Sequence, residues 1–179
     1  VHITRARGMD GHIRISVGQP HENEALIAAM KAGKVNALLI HNANPVYSLP
    51  SASGFVEALS KVGTVVSFAT LADETSEAAD LVLPDHDAFE SWGDVSPRTG
   101  IRTLVQPTIR PLFHAEGSGT QGLGDTLLAI GREAGARLGD GSFLDRLKSE
   151  WSGSDWRMSL EKGGVYTPVD AGSTAVAAT

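Results

Sequence analysis

The chain of 179 residues contains no cysteine. These residues therefore cannot form disulfides, zinc–thiolate sites or cysteine-bound iron–sulfur clusters. No apolar run approaches the roughly 20 residues that cross a bilayer, so we expect no membrane span. Aromatic residues make up only 6% of the chain. Each of the three tryptophans, Trp92, Trp151 and Trp156, is therefore expected to anchor a core or an interface.

Basic residues are also scarce, since 15 Lys and Arg stand against 21 Asp and Glu and give a net charge of −6. Without a local basic cluster, the chain is not expected to bind nucleic acid. The histidines are scattered and form no ligand pattern, and no Gly-x-Ser-x-Gly elbow presents a serine nucleophile. We therefore assign no catalytic residue and no metal ligand.

The two ends of the chain lack the marks of a complete protein. Residue 1 is a valine, and no charged start leads into an apolar signal segment. We expect the chain to be a piece of a larger subunit. Residues 170–179 are small and unpatterned, which is typical of a mobile tail or a connector.

The first half of the chain alternates strand and helix patterns. Ser51 or Ser53 is a candidate cap for one helix, and Asp73 or Thr75 for the next. This order predicts an α/β fold in which a parallel sheet has right-handed crossovers and flanking helices, as in Rossmann-like domains. The predicted elements are a short strand at 12–17, a helix at 21–31, a strand at 37–40, a helix at 55–61, a strand at 64–69, a helix ending at residue 79 and a strand at 81–83.

The pattern changes after Pro84. Residues 85–121 form a long segment with three prolines, in which only 101–105 has the pattern of a strand. We predict a long irregular loop there, of the kind that is functional or lies across a partner. Helices are expected at 125–138, about 142–150 and 154–162.

Polar side chains follow two of the predicted strands. Asn44 precedes a proline after the first, and Asp73, Glu74 and Thr75 follow the second. At the carboxyl ends of parallel strands, such side chains can contact a nucleotide phosphate, a base edge or ribose hydroxyls. The same residue types also form turns and cap helices, and the spacing does not decide between these roles.

Two further motifs have a more ordinary explanation. Asp85, His86, Asp87 and Glu90 combine oxygen ligands with an imidazole, but adjacent side chains point in different directions, so we predict a solvated or interface loop without a metal. The match Gly117-x-Gly119-x-x-Gly122 lacks a preceding buried strand. We predict the entry to a helix rather than a phosphate cradle.

The segments L-L-I-H-N-A-N-P-V-Y-S-L-P and V-V-S-F-A-T-L-A-D-E-T-S-E-A-A-D-L-V-L-P-D-H-D-A-F-E-S-W-G-D, followed by Q-P-T-I-R-P-L-F, resemble the third domain of the molybdopterin oxidoreductase family. The resemblance covers about 35–138 and implies a leading segment at 1–34 and a helical extension with a tail at 139–179. In that family the domain binds a pterin guanine dinucleotide. Its implied contacts here are Asn42, Asn44, Asp73, Glu74 and Thr75.

The pieces E-S-W-G-D and Q-P-T-I-R-P-L-F are most similar to the iron–sulfur subunit of bacterial alternative complex III, a membrane quinol oxidoreductase. The resemblance implies a non-catalytic scaffold on the periplasmic side of the inner membrane. Its partners would be the rest of its own subunit, which would hold the iron–sulfur clusters, and other subunits of the complex.

Two departures from the cofactor-binding pattern favour the scaffold. Ala43 stands where glycine is common, and Ser91 to Asp94 bring bulk and negative charge. The alternative is an active bis-pterin molybdenum oxidoreductase related to polysulfide reductase. A free-standing nucleotide-binding module is a third possibility.

Overall fold

A computed structural model of the chain describes residues 4–5, 13–14, 20–115 and 118–168. The chain divides into two compact units, Val1–Pro84 and Asp85–Thr179. The predicted division into 1–34, 35–138 and 139–179 follows a family boundary and stays a prediction. The tail at 170–179 lies outside the described residues.

The first unit contains a three-stranded parallel sheet in the order β3–β4–β5. Its register pairs Leu39 with Val66 and Val66 with Leu81. The predicted α/β class and parallel sheet are confirmed, whereas the Rossmann-like assignment stays a prediction. The elements of this unit are β1 (Thr4–Arg5), β2 (Ile13–Arg14), α1 (Pro20–Lys31), β3 (Ala37–Ile40), α2 (Pro45–Ser48), α3 (Phe55–Leu59), β4 (Thr64–Ser67), α4 (Glu74–Glu77) and β5 (Leu81–Val82).

Helices α1 and α3 pack on one another and on one face of this sheet. In α1, Glu22 lies in the first turn and Lys31 in the last, as the helix dipole favours. Gly33 follows with a φ of 66°, which suits a residue without a Cβ. The buried core consists of Ile27, Met30, Ile40, Phe55, Ala58, Leu59, Val62 and Val65.

Two local features of this unit differ from the prediction, and a third prediction lies mostly outside the described residues. Pro45–Ser48, for which no element is predicted, forms a short helix in which Pro45 occupies the first turn and the Asn44 side chain is the cap. The N-cap of α3 is Gly54, and the Ser53 hydroxyl instead accepts a 3.3 Å hydrogen bond from the Phe55 N–H. Of the strand predicted at 12–17, Ile13–Arg14 pairs with Thr4–Arg5, and the remaining residues lie outside the described ones.

The second unit contains an antiparallel three-stranded sheet in the order β10–β7–β6 and the three C-terminal helices. Leu104, Leu147 and Trp151 form its buried core. The three helices predicted at 125–138, 142–150 and 154–162 are confirmed with shorter bounds. The elements are β6 (Gly93–Arg98), β7 (Ile101–Val105), β8 (His114–Ala115), β9 (Ser118–Gly119), α5 (Leu123–Glu133), α6 (Phe143–Glu150), α7 (Trp156–Lys162) and β10 (Gly164–Tyr166).

The prediction that 85–121 is irregular apart from 101–105 is wrong. Residues Gly93–Arg98 form β6, which pairs with β7 as an antiparallel hairpin. The hairpin turns at Gly100, whose φ is 80°. Pro97 by itself disfavours a strand, because it has no N–H to donate. In the structure it lies at an irregularity of the edge strand β6, where the missing N–H removes no hydrogen bond between central strands. Strand β10 was also missed.

The described part of the chain has no helix that is both long and apolar enough to cross a membrane.

Candidate functional site

The candidate site is the carboxyl edge of the parallel sheet in the first unit, where the turns after β3 and β4 meet. Asn44 Nδ2 donates a 2.7 Å hydrogen bond to Glu74 Oε2. Thr75 Oγ1 donates to Asn44 Oδ1, also at 2.7 Å, and accepts from the Val46 N–H at 3.1 Å. The structure therefore brings three of the five predicted residues into one hydrogen-bonded cluster.

Each turn is fixed by a cap that its own sequence supplies. Asn44 Oδ1 accepts from the Tyr47 N–H at 3.3 Å and so caps α2. Asp73 and Ser76 form a capping box at the start of α4, in which each side chain accepts a 2.7 Å hydrogen bond from the backbone N–H of the other. Of the two caps considered for α4, Asp73 is confirmed, while Thr75 is fully buried and turned toward Asn44.

Asn42 does not join this cluster. Its side chain is exposed, and its φ of 50° makes it the one non-glycine residue with a positive φ among those described. Asparagine tolerates this left-handed conformation better than most residues, so Asn42 serves the turn. The sequence does not reveal this role, because turn formers and ligand contacts share the same residue types.

The site is acidic. Asp73, Glu74 and Glu77 lie at or near the start of α4, where the helix dipole stabilises negative charge. The hydrogen bond from Asn44, and secondarily one from the backbone N–H of Glu74, lower the pKa of the Glu74 carboxyl below its usual range. Glu74 is exposed, so this carboxylate remains accessible to solvent.

Asp80, which lies between α4 and β5, has a structural role. Its Oδ2 accepts a 2.7 Å hydrogen bond from the Val65 N–H, and its own N–H donates to the Val65 carbonyl at 2.9 Å. The carboxylate thus extends the ladder between β4 and β5 by one residue. This role is not evident from the sequence, because Asp80 precedes a strand instead of following one.

The acidic loop of the second unit uses its side chains to hold backbone. Asp85 Oδ1 accepts from the Leu123 N–H at 2.6 Å, and Glu90 accepts from the Leu112 and Asp87 N–H groups at 2.9 and 3.0 Å. His86 Nε2 lies 3.1 Å from the Thr120 carbonyl. Asp85 and Glu90 are buried. The loop that was predicted to be solvated or at an interface is therefore partly buried, and its carboxylates hold the backbone of the second unit. In the described residues, no three His, Asp or Glu side chains are grouped to hold a metal.

The glycine motif leads into α5, as predicted. Gly122 is the N-cap of that helix, and the carboxylate of Asp85 accepts from the N–H of the next residue, Leu123. A negatively charged side chain already occupies this helix N-terminus, which is unfavourable for a phosphate. Gly117 lies outside the described residues.

The negative charge of Asp94 is compensated within its own unit. Asp94 Oδ2 accepts from Arg102 Nη2 at 2.6 Å, from Arg102 Nε at 2.9 Å and from Trp151 Nε1 at 2.9 Å. The guanidinium of Arg102 also lies 4.5 Å from the centroid of the Trp151 ring. The negative charge that Asp94 adds to this segment is therefore paired with Arg102. Trp151 is a buried core residue, and Trp92 and Trp156 pack against that core, as predicted.

No family model matches the chain. Over 147 residues, which are 79% of the chain, it is 37% identical to the menaquinone reductase molybdopterin-binding-like subunit of Nitratidesulfovibrio vulgaris. The solved structure of acetylene hydratase from Pelobacter acetylenicus matches 82% of the chain with a TM-score of 0.66 and 17% identity. The similarity to the molybdopterin-binding-like subunit supports a molybdopterin oxidoreductase-like family.

The matched part is small in both comparisons. The chain spans 20% of the length of the molybdopterin-binding-like subunit and 21% of the acetylene hydratase chain. At 17% identity, the similarity to acetylene hydratase shows the fold alone. It agrees with a mixed α/β architecture that contains a parallel three-stranded sheet.

Proposed function

We propose that this chain is a non-catalytic, molybdopterin-oxidoreductase-like scaffold region in the electron-transfer subunit of a membrane quinone oxidoreductase of the alternative complex III type. The relative from Nitratidesulfovibrio vulgaris, named as a molybdopterin-binding-like subunit of a menaquinone reductase, supports a place in such a complex. Under this proposal the chain binds no pterin, and the iron–sulfur clusters lie elsewhere in its subunit. The subunit would lie on the periplasmic side of the inner membrane.

The observation that carries the scaffold proposal is the internal satisfaction of the candidate site. A dinucleotide pyrophosphate is anionic and needs N–H donors, which helix N-termini commonly provide. Here the N–H groups of Val46, Tyr47 and Ser76 at the starts of α2 and α4 already donate to side chains. These N–H groups at the starts of the two helices are thus already bonded to side chains of the chain itself. The nearby carboxylates also repel a phosphate.

Exposed apolar side chains in the second unit support a role in assembly. The Phe89 carbonyl accepts hydrogen bonds of 2.8 and 3.2 Å from the N–H groups of Thr108 and Ile109. These hydrogen bonds and the one that Glu90 accepts from the Leu112 N–H connect the 85–90 loop to the 106–113 segment. The fixed surface exposes Phe89, Ile109, Leu112 and Phe113. A surface of this kind suits contact with another subunit.

The alternative is the cofactor-binding domain of an active bis-pterin molybdenum enzyme. The exposed, ionised carboxylate of Glu74 favours it, since such a group can accept hydrogen bonds from ribose hydroxyls or from a guanine N–H edge. Asn42, Asn44, Asp73 and Thr75 would complete the surroundings of the guanosine. The accessible acceptor oxygens of Glu74 suit this neutral portion of the dinucleotide and not its anionic pyrophosphate.

Metal analysis of the purified intact subunit distinguishes the two functions. We expect iron without molybdenum or tungsten, together with no guanine nucleotide released on denaturation. Stoichiometric molybdenum or tungsten with bound guanine nucleotide would overturn the scaffold proposal and support the enzyme. Both measurements need the complete subunit, because the family's metal ligand lies in a different domain from the one that this chain resembles.

A further inference from the structure

The linker between α5 and α6 contains an Asp-Gly pair, Asp140 and Gly141. In such a pair the backbone nitrogen of the glycine can attack the side-chain carboxyl carbon of the aspartate, which closes a succinimide ring and expels water. Glycine favours this attack because it has no Cβ to obstruct it and the freest backbone. Water then opens the ring at either carbonyl, and one of the two products is isoaspartate, in which the main chain runs through the side-chain carbon.

Both reacting groups of this pair are available. The Asp140 carboxylate is exposed and forms no hydrogen bond or ion pair within the part of the chain that the structure describes. In the same described part, the Gly141 N–H has no acceptor. Two other aspartates of the second unit differ in this respect, since the carboxylates of Asp145 and Asp155 accept hydrogen bonds from N–H groups in the first turns of α6 and α7.

One side chain restrains the pair from both sides. Arg132 Nε donates a 2.7 Å hydrogen bond to the Gly139 carbonyl, and Arg132 Nη2 donates to the Gly141 carbonyl. We call these two hydrogen bonds the Arg132 clamp. Arg132 is half-buried and lies in the last turn of α5, where the helix dipole favours a cation. The clamp is therefore anchored to a helix.

The rest of the linker is held by other contacts. Before the pair, the Leu138 N–H donates to the Ala136 carbonyl at 3.0 Å. After it, the Phe143 N–H donates to Asp125 Oδ1 at 2.8 Å. Residues 139–141 form no backbone–backbone hydrogen bond with any described residue. Among the described contacts, the Arg132 clamp thus supplies the hydrogen bonds that fix the backbone of these three residues.

The clamp opposes the reaction geometrically. Ring closure requires rotation about the Cα–C bond of Asp140, and the opening to isoaspartate adds a carbon to the main chain. Both changes move the Gly141 carbonyl relative to the Gly139 carbonyl, whereas the planar guanidinium of Arg132 holds the two carbonyls in one fixed arrangement. The reaction therefore proceeds from a locally opened state, whose population depends on the free energy of the clamp.

We propose that Asp140–Gly141 is a site of spontaneous isoaspartate formation and that the Arg132 clamp sets its rate. The Asp140 carboxyl and the Gly141 N–H lose one water on ring closure, and hydrolysis returns it, so the modification leaves the mass unchanged. It lengthens the linker by one carbon and prevents the clamp from re-forming in its original geometry. The proposal is independent of the proposed function, because it involves neither a cofactor nor another subunit.

Peptide mapping of the purified intact subunit after incubation at neutral pH tests the proposal. The protease Asp-N cleaves before aspartate but not before isoaspartate, and electron-transfer fragmentation locates the modified residue. In the folded wild type we expect isoaspartate at Asp140 to form roughly tenfold more slowly than in guanidinium-unfolded protein, because opening must break two charge-assisted hydrogen bonds. Arg132→Ala should react roughly fivefold or more faster than the folded wild type. Arg146→Ala, at an exposed position of α6, is the matched control and should keep the wild-type rate.

Two results would overturn the proposal. One is a folded wild type that contains no isoaspartate at Asp140 when the unfolded protein has been largely converted. The other is an Arg132→Ala variant that is folded by tryptophan fluorescence and reacts no faster than the wild type. If this variant does not fold, Arg132→Lys takes its place, since it keeps the charge but loses the planar fork that holds both carbonyls. A wild-type rate in the folded Arg132→Lys variant would likewise overturn the role of the clamp.

Discussion

The amide of Asn44 donates a 2.7 Å hydrogen bond to the carboxylate of Glu74, 30 positions later in the chain. The same amide accepts from the hydroxyl of buried Thr75 and from the Tyr47 N–H. One side chain thus connects the turn after β3 with the turn after β4. Residues that the sequence marks as ligand contacts consequently stabilise the edge of the sheet.

Replacing Asn44 with alanine should destabilise the first unit. The substitution removes the cap of α2 and leaves the buried Thr75 hydroxyl without its acceptor. We expect a loss of about 2 kcal/mol in the free energy of unfolding, or roughly 30-fold faster native-state hydrogen exchange at the amides of β4. Ser48→Ala, at an exposed position of the same helix, should change this free energy by less than about 0.5 kcal/mol. Equal effects of both variants would contradict the role of Asn44.

The same substitution should raise the pKa of Glu74. Because the hydrogen bond from Asn44 is the largest cause of the lowered pKa, Asn44→Ala should move it back toward its ordinary value. Carboxyl NMR titration measures this change. Asp145, whose pKa is lowered by hydrogen bonds from Ser142, is the control and should not respond. An unchanged Glu74 titration would show that the Asn44 contact is not made in solution.

The sign of the resulting pH dependence follows from the direction of this shift. A carboxyl group whose pKa is lower in the folded state contributes stability above its unfolded pKa, and this contribution is lost as pH falls through the folded pKa. Glu74→Gln removes the titrating group. We therefore expect the wild-type first unit to lose more stability on acidification than the Glu74→Gln variant does. Parallel acid-unfolding curves for the two proteins would rule out this linkage.

Replacing Asp94 with alanine should destabilise the second unit. Asp94 pairs with Arg102 and also accepts from the indole N–H of buried Trp151. Since the ion pair is partly exposed, we expect a loss of about 2 kcal/mol, most of it from the unsatisfied indole. The three tryptophans all lie in the second unit, so urea unfolding followed by tryptophan fluorescence reports on it selectively.

Arg157 provides the matched control for Asp94. It forms an exposed pair with Glu161 four residues later on α7. Arg157→Ala should therefore cost about 0.5 kcal/mol or less. If Asp94→Ala costs no more than Arg157→Ala, the contact between Asp94 and Trp151 is not a source of stability.

Glu90 should control the order of the 106–113 segment. Its two carboxylate oxygens accept from the N–H groups of Leu112 and Asp87. Glu90→Ala should speed hydrogen exchange at Leu112 roughly fivefold, equivalent to about 1 kcal/mol for a lost hydrogen bond. Glu133→Ala, at an exposed position of α5, should leave it unchanged. Unaltered exchange at Leu112 in Glu90→Ala would contradict this assignment.

The sequence predicted the elements whose signals are local. Apolar runs located β3 and β4, and the acid-to-base order along 21–31 located α1. The hairpin of β6 and β7 was missed because Pro97 opposes a strand locally, whereas the pairing that permits it comes from β7. For the same reason β10 was missed, since three residues next to a helix end have no periodicity of their own.

The sequence by itself determined the alternation of strands and helices in the first unit and the resemblance to a molybdopterin oxidoreductase-like family. These depend on neighbours within a few positions, or on a motif read along the chain. Only the tertiary structure decided that Asn44 contacts Glu74, that Asp94 is paired with Arg102, and that Leu39 and Leu81 share one face of the sheet. Such contacts join distant positions, and the free energy of each depends on burial and geometry that residue type alone does not specify.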